Sequence, residues 1–505
     1  MRRSHLAPAL IALAVAGANV FAADRAPSQD TPEHWQTLAR RDIAEAHQAL
    51  VAAHPGAIDP ANPGFRTWLE AGPGKALDYV PRVRSYDDMR SVVSFYIAAF
   101  HDGHLAYSDD TRPSSNMTVD GWHVAPRDGS AVVDAVAPDW PVALPPLGAE
   151  LLGCDGLAAR SLVADDIAPF TQAPVGDAGQ AMLWGAFTDP PLGDMRWKSC
   201  SFKTADGHRL ELPQAWKEVP WDVFGQLVRG GRKPPMAATN SAERLPDGTL
   251  WLRAGNFQPN AEQNAALEQL IETLRKAPTA RRIVFDARRN NGGDSGIGQR
   301  LFMATTGGLE IDDFRPGEVA TTSAWWRVSD IAIDGMVQRE AIVKQRGGDD
   351  STLQVVKQLH QALVAAQARG NDWVHQPGGD YPRLTREDMA ARKAHLNRPV
   401  EKVALLTDAT CVSACLDFAD MIRSVPGSVH IGQTTGADTV YLDIGRVPLP
   451  SGNVLILPLK VWRNRPRGNN ETLVPDVPLS FDQGSEDAVR RAVMQVLDRP
   501  AAPAR

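Results

Sequence analysis

Apolar positions along this chain recur at two periods, and the changes between them divide it. From about Pro32 to Ala53, Trp35, Leu38, Ile43, Ala46 and Leu50 recur at roughly helical spacing. Pro55, Pro60 and Pro63 then break the chain. A second helical stretch, Tyr86 to Phe100, carries Met89, Val92, Val93, Tyr96, Ile97 and Phe100. The sequence predicts its end at His101-Asp102-Gly103-His104, where Gly103 is a natural helix stop. Leu105-Ala106-Tyr107 resumes an extended run. From about Val119 to Leu212 the pattern turns to short runs such as Ala131-Val132-Val133 and Glu150-Leu151-Leu152, punctuated by Gly and Pro, as in a small β-rich domain. Trp216 to Asn240 reads as a polar connector.

A third region starts near Thr249. Leu250 to Arg253 and Arg282 to Asp286 are strand candidates. Between them, Asn260 to Lys276 is a helix with Leu267, Leu270, Ile271 and Leu274 on one face. Strand, helix, strand argues for a parallel sheet. Residues 305–398 are polar and hold Trp325-Trp326, Gly347-Gly348 and Pro377-Gly378-Gly379, so they read as an insertion over the site. A buried strand at Val403-Ala404-Leu405-Leu406 follows. After it come a polar turn, a helix over Cys415 to Ile422, and strands near Val429–Gly432 and Val454–Leu457.

Composition narrows the picture. The chain has 505 residues, 43% hydrophobic and 22% charged, as in an ordinary globular protein. Its net charge is −7 with no block of Lys and Arg, so it carries no electrostatic footprint for nucleic acid. Met1-Arg2-Arg3, the apolar Leu6 to Val15 and Val20-Phe21-Ala22 predict a signal peptide over residues 1–22, cut after Ala22. The mature chain is then expected in the periplasm or secreted, with no membrane span. Export permits disulfides. The four cysteines allow three connectivities; the simplest pairs Cys154 with Cys200 and Cys411 with Cys415. The second pairing fits only if its turn departs from a regular helix. No histidine pair at ligand spacing lies near the cysteines, so neither metal nor cofactor is expected.

The candidate chemistry sits where the Val403 strand breaks and a helix begins. Ser413 there would have free backbone N–H groups and the positive end of a helix dipole beside it. A plain helix cap is the competing reading. A serine nucleophile needs a base, a group to orient the base, and donors for the oxyanion. The strand ending at Asp286 runs into Asn290-Asn291-Gly292-Gly293, and paired glycines after a buried strand let backbone approach a ligand closely. Two parallel strands would put both turns at one sheet edge. Gly292 and Gly293 are therefore oxyanion candidates, with the Ala414 N–H as the other donor. His104 is the candidate base and His101 its competitor.

These residues resemble a known family. The run from Asp286 to Gly293 is similar to the strand-plus-glycine motif of the C-terminal-processing (tail-specific) serine proteases. Ser413-Ala414 and Gly432-Gln433-Thr434-Thr435-Gly436 resemble their nucleophile helix and following strand. Leu147 to Leu152 with Asp155-Gly156 resembles their PDZ domain. The branch with a Ser–Lys dyad places its lysine just after the last motif, where this chain has Ala437-Asp438; Lys460 lies on a later strand. The acidic residue usual three positions after the serine is displaced, with Leu416 there and Asp417 one later. Asp102 to Tyr107 is similar instead to the histidine segment of the tricorn core protease, and Asn470 to Asp476 to the segment bearing its glutamate. That resemblance implies a Ser413, His104 and Glu471 triad.

The expectation is thus an α/β chain with a ClpP/crotonase-like catalytic domain over 249–500. With it would go an N-terminal helical segment (23–115), an inserted or preceding PDZ-like β domain (116–215) and a connector (216–248). It implies a serine peptidase acting on a peptide or protein substrate through an acyl-enzyme on Ser413, with oligomeric state open. The alternatives are an esterase using the same triad, or a decayed binding or scaffold protein of the same fold.

Overall fold

A computed structural model describes residues 31–108, 116–127, 129–173, 177–229, 237–308, 323–345, 350–376, 400–465, 467–481 and 485–499. The signal-peptide expectation lies outside them, as do Gly347-Gly348 and Pro377-Gly378-Gly379.

The N-terminal helices form where caps and apolar faces agree. Thr31 caps the helix Pro32–Ala53 by accepting the His34 N–H, and Ser85 with Asp88 closes a reciprocal capping box on Tyr86–Ala98. Trp35, Ile43, Leu50, Met89 and Tyr96 are buried in one cluster. A further helix, Pro63–Tyr79, lies where the sequence suggested only a break. Pro63 stands in its first turn, where a missing N–H has no helical partner to lose, and the Asn62 side chain accepts the Phe65 N–H. The helix Tyr86–Ala98 ends earlier than expected. The left-handed residue at its exit is His101, with φ 52°, and not Gly103.

In the β-rich region a sheet runs in the order Trp122–Arg127, Ser130–Val136, Glu150–Cys154, Ser199–Lys203, Arg209–Pro213. Cys154 stands directly opposite Cys200 in this register, and the two form a disulfide with Cα atoms 4.0 Å apart. The connector has more order than its polarity suggested. Lys217–Pro220 pairs with Asn116–Val119, and the helix Trp221–Arg229 follows.

A six-stranded sheet runs Asn240–Arg244, Leu250–Ala254, Arg282–Asp286, Lys402–Thr407, Val429–Gly432, Val477–Pro478, parallel throughout except for its first pair. Its central strands are apolar on both faces because helices cover both. Ala261–Lys276, Ser295–Thr306 and Ala414–Arg423 pack on one side, and Glu486–Asp498 on the other. Phe285 sits between Phe302 and Phe418, with ring centroids 5.8 and 5.6 Å away.

A five-stranded antiparallel sheet is built on the long strand Val454–Arg463. One edge of it pairs with Tyr441–Pro448; the other pairs with Ala106–Ser108 and then Ser323–Arg327, which carries Trp373–His375. Residues read as an insertion over the site therefore supply two strands of this sheet. Trp326, Met336 and Leu363 are buried in the same cluster as the N-terminal helices.

Phe285→Ala should lose about 3–5 kcal/mol, seen as a lower urea midpoint at unchanged m-value.

Candidate active site

Parallel pairing sets Asp286 opposite Leu406, so the turns that follow these two strands emerge side by side. After Thr407 the chain tightens around Asp408, whose Oδ1 accepts the Thr410 N–H at 3.0 Å and the Thr410 hydroxyl at 2.6 Å. Its Oδ2 accepts the Arg289 N–H at 3.1 Å from the neighbouring turn. One carboxylate thus fixes both turns relative to each other.

Ser413 immediately precedes the helix Ala414–Arg423 and adopts φ 53°, ψ −126°. A residue with a Cβ held there costs on the order of 1–3 kcal/mol. Its side chain makes no capping hydrogen bond, so the plain cap reading fails. Its Oγ instead lies 3.3 Å from His104 Nε2. The Cys411–Cys415 disulfide spans the turn, with Cα atoms 5.3 Å apart. The pairing expected from the sequence is present, in a turn that departs from helix geometry.

The glycines divide their roles. A Cβ on Gly292 would lie 2.8 Å from both the Ser413 Cβ and the Val412 carbonyl oxygen, and Gly292 has φ 88°. Only glycine lets the backbone approach the serine this closely. The Gly292 N–H, however, donates to Asn290 Oδ1 at 2.9 Å. Gly292 therefore provides clearance, and its amide is already committed. The Gly292 carbonyl accepts from Gln258 Nε2 at 3.2 Å. The next amide, Gly293 N–H, belongs to the same peptide unit and points away from that carbonyl. The Ala414 N–H belongs to the first residue of the helix, a position whose amide finds no partner within the helix itself.

His104 arrives from the other sheet. It lies two residues before the strand Ala106–Ser108, and Asp438 lies three before Tyr441–Pro448; both strands flank Val454–Arg463. His104 Nδ1 is 3.4 Å from Asp438 Oδ1, a close approach without hydrogen-bond alignment. The imidazole is 20% exposed and the carboxylate 3%, so the histidine is reachable while its partner is shielded. Asp102 Oδ1 accepts the His104 N–H at 2.9 Å and the Thr439 hydroxyl at 3.1 Å. It ties the segment carrying the imidazole to the one carrying Asp438. Asp102 Oδ2 contacts His54 Nε2 at 3.1 Å. His54 Nδ1 accepts the Gly56 N–H, which puts the ring proton on Nε2, facing Asp102.

The carboxylate nearest the imidazole is therefore Asp438, and not Glu471. Glu471 is exposed and accepts the Gly468 N–H at 2.6 Å, closing its own loop. In the sequence, Asp438 stands out only as the place where the dyad lysine is missing. Its one signal was an acid standing there. His101 is exposed, and its carbonyl accepts from Asn470 Nδ2. Lys460 pairs with Asp443.

Behind Asp438 lies a buried charge cluster. Arg465 Nη1 is 3.3 Å and Arg467 Nη1 3.8 Å from Asp438 Oδ2. Arg467 also reaches Asp417 at 3.0 Å and Asp420 at 3.5 Å. The displaced Asp417 thus belongs to this cluster and accepts the Ser295 hydroxyl, while Leu416 is in the core. Burial pushes Asp438 above the ordinary carboxylate range, against the pull of His104, Arg465 and Arg467. Burial pushes Asp420 up to about 6, with Arg467 opposing. Burial acts against the Arg467 charge, yet Asp420, Asp417 and Asp438 together raise its pKa. Among the described residues no group of three or more His, Cys, Asp or Glu could hold a metal ion.

Asp420 holds its proton to about pH 6 in the folded chain, against an ordinary 3.8. Between these values the folded state binds more protons than the unfolded, so stability falls as pH rises through that window. Asp420→Asn should show a smaller loss of urea midpoint between pH 4 and pH 6.5 than the parent protein.

No protein-family model and no curated protein matches this sequence. Solved structures do. That of mature CPAF matches at 12% identity and TM-score 0.54, covering 92% of this chain and 96% of that one. Mature CPAF complexed with lactacystin matches at 12% identity and TM-score 0.53, covering 92% and 97%. The photosystem II D1 C-terminal processing protease aligns at 14% identity and TM-score 0.36, covering 93% and 98%. Over nearly its whole length, then, this chain has the mixed α/β fold of mature CPAF.

Proposed function

We propose that this chain is a serine-type peptidase that cleaves peptide bonds through an acyl-enzyme on Ser413. One observation carries the proposal: Ser413 sits in a strained left-handed conformation that gives up helix capping, and its Oγ faces His104 Nε2 at 3.3 Å. Strain of this kind persists only where the surrounding structure enforces it, and it collects at active sites.

The chemistry follows from the placement. With the His104 proton on Nδ1, facing Asp438, Nε2 is free to take the Ser413 proton as Oγ bonds to the substrate carbonyl carbon. The oxygen, now anionic, is met by the Gly293 and Ala414 N–H groups and the helix dipole. Nε2–H then protonates the leaving amine as the C–N bond breaks. A water attacks the acyl carbon and gives its proton to Nε2; the C–Oγ bond breaks and Ser413 regains a proton. Asp438 orients the imidazole and stabilises its cationic form, the role the sequence reading gave to Glu471. Arg465 and Arg467 oppose the burial that pushes the Asp438 carboxylate toward its neutral form.

The remaining expectations fit this reading. Two disulfides suit an oxidising compartment and hence export. Among the described residues no helix is long and apolar enough to cross a membrane. The sheet of residues 122–213 would be the PDZ-like unit, and the parallel sheet with its helices the ClpP/crotonase-like one.

Ser413→Ala and His104→Ala should each lower kcat on a peptide substrate by about three orders of magnitude or more while leaving the circular dichroism spectrum unchanged. Asp438→Asn should fall in the same direction, whereas Glu471→Ala should stay within a few-fold of the parent. A fluorophosphonate should label Ser413; a chain that takes no label is a binding or scaffold protein. Turnover of esters with none of peptides would leave the triad and change the substrate. If Glu471→Ala were the damaging change and Asp438→Asn the mild one, Asp438 would lose its role.

A further inference from the structure

We infer that the Cys411–Cys415 disulfide is a positioning device for the nucleophile: it holds the turn that frees the Ser413 hydroxyl and aims the Ala414 N–H, so that activity depends on its oxidation. The consequence for activity rests on the peptidase reading above; the restraint itself rests on geometry.

The turn needs holding. The Cys415 N–H donates to the Val412 carbonyl at 3.1 Å, closing a turn in which Ser413 adopts φ 53°, ψ −126°. This is the first central position of a type II′ turn, normally occupied by glycine. A serine preceding a helix ordinarily steadies the first turn by accepting an N–H at the second or third position with its own hydroxyl. Ser413 makes no such bond, because its hydroxyl is turned toward His104. The disulfide runs from residue 411 to Cys415, the second residue of the helix Ala414–Arg423. It restrains the same few residues that the missing cap would have restrained.

The two disulfides differ in what they join. Cys154–Cys200 ties strands 46 residues apart in sequence, whereas Cys411–Cys415 closes a separation of 4 and joins only the turn. So short a loop removes less freedom from the unfolded chain than the longer one does. Its effect is local, and what is local to it is the nucleophile. Cys411 and Cys415 are both fully buried, so they restrain the site without facing substrate. Reduction by a dithiol would supply two electrons and two protons, break the S–S bond to two thiols, and leave the reductant as a disulfide. The freed turn can then relax to negative φ at Ser413, with the hydroxyl back over the helix end.

The test compares the parent protein with Cys411→Ala/Cys415→Ala, using Cys154→Ala/Cys200→Ala as control. The readouts are the rate of fluorophosphonate labelling and hydrogen exchange in the segment 408–420. Loss of the 411–415 link should slow labelling at least tenfold and raise exchange in that segment. Exchange in the strand Arg282–Asp286 should not change, and the control should label at the parent rate. Equal labelling and equal exchange would overturn the inference. If the parent itself takes no label, the peptidase reading fails. Exchange alone then decides the restraint: raised exchange supports it and unchanged exchange overturns it. Should the double variant not fold, the parent is titrated with dithiothreitol and its thiols are alkylated and mapped. Labelling should fall in step with alkylation of Cys411 and Cys415; full labelling with both alkylated would overturn the inference.

Discussion

The parallel pairing of Arg282–Asp286 with Lys402–Thr407 is the constraint on which the rest of the site depends. Parallel strands end at the same edge, so each delivers its turn to the same place. One turn brings Ser413 and the start of a helix; the other brings the glycines. Asp408 joins them through the Arg289 N–H. Gly292, having no side chain, lets the two backbones close up against the serine. The cost is a non-glycine residue held at positive φ, and the buried core around Phe285 and Phe418 is what makes such a turn sustainable.

The His104 imidazole comes from a different sheet, so it meets Ser413 only where the two sheets meet. His104 and Asp438 lead into strands on opposite edges of Val454–Arg463, and Asp102 bonds to both approaches. The N-terminal helices contribute through His54, which follows the helix Pro32–Ala53 and contacts Asp102 from below. The helical segment is therefore linked, through Asp102, to the backbone that carries the imidazole. Asp438 is in turn set against Arg465 and Arg467, whose charges oppose the cost of burying a carboxylate. Arg467 is itself divided among three acids, so the acid behind the imidazole is part of a network and not an isolated pair.

Local pattern determined a good part of this. Apolar runs bounded by polar turns located the four central strands of the parallel sheet and the helix after Ser413, because a strand covered on both faces reads as a continuous apolar run; the edge strands Asn240–Arg244 and Val477–Pro478 carry no such run. The strand-to-helix break marked Ser413, the paired glycines marked the neighbouring turn, and the simplest of the three cysteine pairings is the one present. Where local rules pull both ways the reading failed. Pro63 can end a chain segment or begin a helix, and the packing of Pro63–Tyr79 against its neighbours chose the second. The segment 305–398 reads as an insertion over the site because its polar residues dominate its composition, while Trp326 and Leu363 are core.

What the tertiary structure alone decided is which carboxylate stands against the His104 imidazole. Asp438 and Glu471 both lie far from His104 in sequence, and a sequence motif cannot measure the distance between two sheets. Burial and register put Asp438 against Nδ1, and a loop bond to Gly468 keeps Glu471 at the surface. The same holds for Asp102 and Arg467, which are ordinary charged residues until folding removes water from around them.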